Sequence, residues 1–100
     1  MKHFEGTAYQ LVYDEEQKKI ALTAAPEGWH ADAVRDLRIF IITKAYILGY
    51  EKAYVSSSRK GAPIYEVTYD RGADRIYFVT YQQTDKKTID LNEGIAGGEA

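Results

Sequence analysis

The chain contains no cysteine, which removes disulfides, thiolate zinc sites, iron–sulfur ligation and cysteine nucleophiles together. It also lacks a charge excess. With 13 basic and 15 acidic residues and a pI near 5.6, it has none of the electrostatic surplus from which a phosphate-backbone binder draws affinity, so general nucleic-acid binding is disfavoured. Long apolar runs are missing as well. Ile39–Ile42 is the longest, far below the roughly 18 residues that a membrane span requires. The N-terminal MKHFEGTAYQLVY has neither an uninterrupted apolar core nor a small-residue cleavage site, so no signal peptide is read there and a cytoplasmic protein is expected.

What the chain has in plenty is tyrosine, 9 of its 100 residues against 3 Phe and 1 Trp. Tyrosine joins a large apolar ring to a polar tip, which suits half-buried sheets and interfaces. The length fits one domain whose core needs no metal or disulfide to hold it. That domain is expected over residues 1–91, followed by a flexible, glycine-rich tail over 92–100 (NEGIAGGEA).

Residues 7–13 and 18–24 alternate apolar and polar positions and predict a β-hairpin around Asp14–Gln17, with Leu11 facing Ile20 and Tyr9 facing Leu22. The breaker cluster Ala25-Pro26-Glu27-Gly28 then leads into one long helix from about Ala31 to Leu48, closed by Gly49 as its C′ residue. Its core stripe is Val34, Leu37, Ile41, Ala45 and Leu48. A second stripe holds Ile39, Ile42 and Tyr46, which must be covered either by the twisted sheet and hairpin or by a second copy of the chain or another partner. The β-branched Ile-Phe-Ile-Ile run also suits a buried strand over Arg38–Thr43, but the flanking Ala, Leu and Lys residues favour helix.

After Gly49 the pattern has period two. Strands are predicted at Lys52–Ser58, Ile64–Asp70 and Arg75–Gln82, with turns centred on Lys60-Gly61 and Gly72-Ala73, and a short last strand at Lys87–Leu91. Taking Gly72-Ala73 as a type II′ turn sets Asp70 opposite Arg75 and Arg71 opposite Asp74. The same register divides the meander into a helix-facing side (Tyr54, Tyr65, Val67, Tyr69, Ile76, Phe78, Thr80) and a mixed side with Val55, Ile64, Glu66, Thr68, Asp70, Arg75, Tyr77, Val79 and Tyr81. The expected class is therefore α+β, in the order ββ-α-βββ(β), with one central helix on a mostly antiparallel sheet.

No HExxH, GxSxG, Walker A or GxGxxG pattern occurs. His30 with Asp32 and Asp36 offers one imidazole where a zinc site needs three or four strong ligands, and Glu66 with Asp70 is an ordinary pair on a solvated strand. The Ser56-Ser57-Ser58 run before Arg59-Lys60-Gly61 has the composition of an anion nest without a preset backbone. No catalytic residue, metal or cofactor is assigned. The expectation is a small non-enzymatic protein-binding module, a regulator, inhibitor or accessory subunit of the kind phages and mobile elements encode. Its partner-binding residues are Tyr77, Val79, Tyr81, Val55, Ile64 and Arg75, with Ile39, Ile42 and Tyr46 as a dimer interface. The alternative is a small-ligand or single-stranded nucleic-acid binder that uses the same tyrosine-rich face.

Overall fold

A computed structural model describes residues 3–82 and 87–91. The fold is α+β, with two helices followed by a four-stranded antiparallel sheet: α1 (Phe4–Leu22), α2 (Trp29–Asp36), β1 (Ile39–Ile47), β2 (Tyr50–Ser57), β3 (Ile64–Asp70) and β4 (Arg75–Tyr81), with strand order β1-β2-β3-β4. Both helices precede the strands, so the order differs from the one expected while the class is the same. The tail expected over 92–100 lies outside the described residues. Residues 87–90 carry no regular structure, so β4 and not a short strand at Lys87–Leu91 closes that side of the sheet.

Where a hairpin is expected over residues 7–24 the chain is helical. The proposed loop Asp14–Gln17 contains no Gly, Pro or Asn to turn the chain, and the stretch Glu15–Lys19 consists of good helix formers. Gln10 donates to Asp14 at 2.8 Å and Lys19 lies 3.8 Å from Glu16, contacts that only helical spacing brings together. The buried face of α1 is the line Phe4, Ala8, Val12, Glu16 and Ile20. At 3.6 residues per turn, a spacing of four drifts by about 40° per step, so this line slants around the helix and crosses the sheet obliquely. α1 lies chiefly over β2 and also touches β1 and β3.

The long helix expected from Ala31 to Leu48 breaks in two. α2 ends at Asp36 and Leu37 is extended (φ −66°, ψ 127°). From Ile39 the β-branched run becomes a strand, the reading set aside in favour of helix. Leu48 and Gly49 both have positive φ, 48° and 86°, and Ile47 pairs with Tyr50. They form a two-residue type I′ hairpin turn, so Gly49 serves a turn and not a helix end.

The β3–β4 register is the expected one, with Asp70 opposite Arg75. The turn differs: positive φ falls on Asp74 (51°) and not on Gly72, giving a four-residue loop over Arg71–Asp74. Asp74 accepts from the Tyr69 hydroxyl at 2.9 Å, and Arg71 instead lies over the Tyr46 ring. Between β2 and β3 the register is shifted by one residue from expectation, with Val55 opposite Tyr65 and Tyr54 opposite Glu66. Gly61 does sit in a turn with φ 76°, closed by the Ala62 N–H to the Arg59 carbonyl. Pro63, however, has no N–H for the ladder, and the Ser58 N–H bonds the Arg38 carbonyl. A shift of one residue turns every side chain of β2 to the opposite face. Tyr54 and Val55 have therefore exchanged sides.

The core is Phe4, Ala8 and Val12 of α1 packed on Ala53, Val55, Tyr65 and Val67, with Ile39, Ile41, Tyr69 and Ile76 around its rim. The Tyr65 and Phe78 rings stack at 5.3 Å. All of this lies on one side of the sheet, and among the described residues more large apolar side chains are exposed than buried.

Candidate functional site

Alternation along the strands assigns the other side of the sheet. Tyr54, Glu66 and Val79 form one row across β2, β3 and β4, Lys52, Thr68 and Tyr77 the next, and Tyr50, Asp70 and Arg75 the third. Ile64 and Tyr81 lie at the opposite end, and Phe40 of β1 pairs with Ser56 on the same side. Phe40, Ile64, Tyr77, Val79 and Tyr81 are all exposed. Four strands about 4.8 Å apart and about 23 Å long give this face a geometric footprint of roughly 450 Å², polar and apolar residues together.

The polar centre of this face is self-contained. Glu66 accepts from Tyr54 at 2.7 Å, from Tyr81 at 3.2 Å and from Lys52 at 3.4 Å. The Tyr54 hydrogen bond, with the Lys52 charge and further hydrogen bonds from Lys52 and Tyr81, holds the Glu66 carboxyl below the usual range, and the same bond pushes the Tyr54 phenol up. Donors and acceptor all belong to the face itself. An apolar surface laid over this centre would leave both Glu66 oxygens hydrogen-bonded.

Of the residues singled out in the sequence, Tyr77, Val79, Tyr81, Ile64 and Arg75 share this face. Val55 does not: the register shift buries it completely, on the helix side. Tyr54, assigned to the helix side, replaces it here. Ile39, Ile42 and Tyr46 are not a helical stripe but positions on the edge strand β1. Ile39 packs against the core. Ile42 is the extra residue of a bulge between the pairs Ile41–Val55 and Thr43–Tyr54. Tyr46, 58% exposed, carries the Arg71 guanidinium 5.7 Å from its ring. Beyond the bulge Lys44 reaches Glu5 of α1, and a bulge and a lysine together blunt this edge.

A second polar cluster lies under α1. Glu16, fully buried, accepts from Arg59 Nε and Nη2, both at 3.0 Å, from Ser57 Oγ at 2.5 Å and from the Tyr65 hydroxyl at 2.6 Å. Lys19 donates to the Tyr65 hydroxyl at 2.8 Å. Burial raises the Glu16 pKa, but the hydrogen bonds from Arg59, Ser57 and Tyr65 outweigh it and hold the carboxyl below its ordinary value. Burial and then Glu16 push the Tyr65 phenol up. A carboxylate at the fourth place of an i, i+4 apolar line is the signal that locates this cluster in the sequence, though it is visible only once α1 is known to be a helix.

The remaining motifs have structural partners. Ser56 Oγ donates to the Pro63 carbonyl, Ser57 Oγ to Glu16, and Ser58 Oγ accepts from the Arg38 N–H. His30 Nε2 lies 2.7 Å from the Thr23 carbonyl, and Asp32 and Asp36 both lie near Arg35. Among the described residues no group of three His, Cys, Asp or Glu side chains is placed to hold a metal, and no helix is long and apolar enough to cross a membrane. No protein-family model matches the chain, and comparison with curated proteins and with solved structures finds no match.

Proposed function

We propose that the chain is a non-enzymatic protein-binding module, a regulator, inhibitor or accessory subunit that acts by laying its bare sheet face on a partner protein and occluding it. One observation carries this reading: α1 covers β1, β2 and β3 on one side of the sheet, and the other side presents Phe40, Ile64, Tyr77, Val79 and Tyr81 around a carboxylate whose bonds are already made. Charge selects the partner class. Lys52 bonds Glu66, and Arg75 stands opposite Asp70, so the face has no net charge. It matches an apolar protein patch with a polar rim and not a phosphate backbone.

The exposed aromatic residues supply area at low entropy cost, which favours Tyr77 and Tyr81 as the energetic centre. The double exchange Tyr77→Ala with Tyr81→Ala is expected to leave the circular dichroism spectrum unchanged and to abolish recovery of the partner that the native chain retains. Retention of the same partner by the double variant sinks the face. Raising salt separates the partner classes: a protein complex on this face persists, whereas binding that falls steeply with salt identifies a single-stranded nucleic acid on the same tyrosines.

A further inference from the structure

The two edges of the sheet are built differently. β1 carries a bulge at Ile42 and a lysine, Lys44, paired with Glu5 of α1. β4 has neither: Arg75 to Tyr81 pair with β3 residue for residue, and the strand contains no Pro, Gly or Lys. Its only charge is Arg75, at its first position. In an antiparallel ladder alternate residues turn their N–H and C=O groups outward, and among the described residues β4 is paired on its β3 side alone. An unbroken, apolar edge of this kind is a template for another strand.

Cover is also missing from the helix side of β4. α1 touches β1, β2 and β3 and does not reach β4. Phe78, on that side, stacks one ring face on Tyr65 of β3 and is still 36% exposed. Its other ring face therefore looks away from β3, toward the open edge.

We propose that β4 is the interface of a reversible homodimer, in which β4 of one copy pairs antiparallel with β4 of a second and the two sheets become one. The strand itself selects a second copy, because RIYFVTY is self-complementary about its centre. Pairing centred on Phe78 sets Phe78 against the second copy's Phe78, Tyr77 against its Val79, Ile76 against its Thr80 and Arg75 against its Tyr81. Aromatic rings meet β-branched residues or each other, no like charges are opposed, and each pair lies on one side of the sheet. The two Phe78 rings cover each other's open face and continue the stack begun by Tyr65.

The symmetry is a twofold axis perpendicular to the sheet, so both copies keep α1 on one side and the bare face on the other. The joined sheet ends in the two β1 edges, which the bulge and Lys44 blunt, so assembly stops at two. The dimer uses the backbone edge of β4 and is independent of the function proposed for the bare face.

One strand pair is small for a permanent interface, so dimer and monomer are expected to exchange. Sedimentation velocity of the native chain from about 10 μM to about 1 mM should show monomer giving way to dimer, with nothing larger. Hydrogen exchange at the two ends of that range should show added amide protection in β4 and none in β1. Thr80→Lys, which sets a charge against Ile76 of the other copy twice in each dimer, should weaken association at least about tenfold with circular dichroism unchanged. A chain that stays monomeric throughout overturns the proposal, as does a dimer whose added protection lies outside β4. Equal dimerisation by a folded Thr80→Lys overturns the pairing centred on Phe78.

Discussion

The Tyr65 hydroxyl donates to the Glu16 carboxylate at 2.6 Å, tying the start of β3 to α1 through a contact from which water is excluded. Arg59 and Ser57 complete the shell of Glu16, and among the described residues no buried side-chain nitrogen or oxygen lacks a partner. The cluster fixes where α1 sits on the sheet and therefore which sheet face stays bare.

Glu16→Gln is expected to cost about 2–3 kcal/mol, toward the low end for breaking a buried pair because Arg59 can rehydrate. The pH dependence has a definite sign. The folded-state pKa of Glu16 is depressed, so its stabilisation is complete above the unfolded carboxylate value near about 4.3 and is lost as pH falls through the folded value. Tyr65 is shifted up, so its share is present below about pH 10 and is lost as pH rises. Urea unfolding between pH 3 and 7, in round numbers about the carboxylate range, should show a steeper acid loss in the native chain than in Glu16→Gln; parallel curves contradict the assignment.

Two glycines test the backbone assignments with opposite signs. Gly6 lies in the first turns of α1, with nothing within 4 Å of an added Cβ, so Gly6→Ala should stabilise by about 0.5 kcal/mol. Gly49 has equally open space but a φ of 86°, so Gly49→Ala should destabilise by about 1–2 kcal/mol. Thermal melts of both variants check this, and a neutral or destabilising Gly6→Ala argues against helix at that position.

Two valines on opposite sides of the sheet measure which side is covered. Val67 is completely buried beneath α1, whereas Val79 is 39% exposed on the bare face. Val67→Ala is expected to cost about 2 kcal/mol through the cavity it leaves, and Val79→Ala less than about 0.5 kcal/mol. Equal costs in urea unfolding mean that something in the isolated chain already covers Val79.

These variants also mark what the sequence made legible. The β3–β4 hairpin was readable because Asp70 and Arg75 fall opposite each other under a two- or a four-residue loop centred between Gly72 and Ala73, so the mistaken turn type did no harm. Most of the bare face followed from that register. The β2 strand did not, because Pro63 and the Ser58 bond to Arg38 shift it by one residue, and neither effect shows in an apolar pattern. α1 was hidden twice: Thr7, Tyr9, Leu11 and Tyr13 alternate like a strand, and Glu16 interrupts the apolar line that marks the helix. The Ile39–Ile42 run fits helix or strand locally, and only pairing with β2 decides it.

The central claim is that the bare face docks a partner protein, and site-directed photocrosslinking in the native host tests it most directly. A benzoylphenylalanine at position 79, in the middle of the face, is expected to give one discrete protein adduct, and the same group at the exposed position 22, at the end of α1, is expected to give none. An adduct from position 22 with none from position 79, or the same products from both, would contradict it.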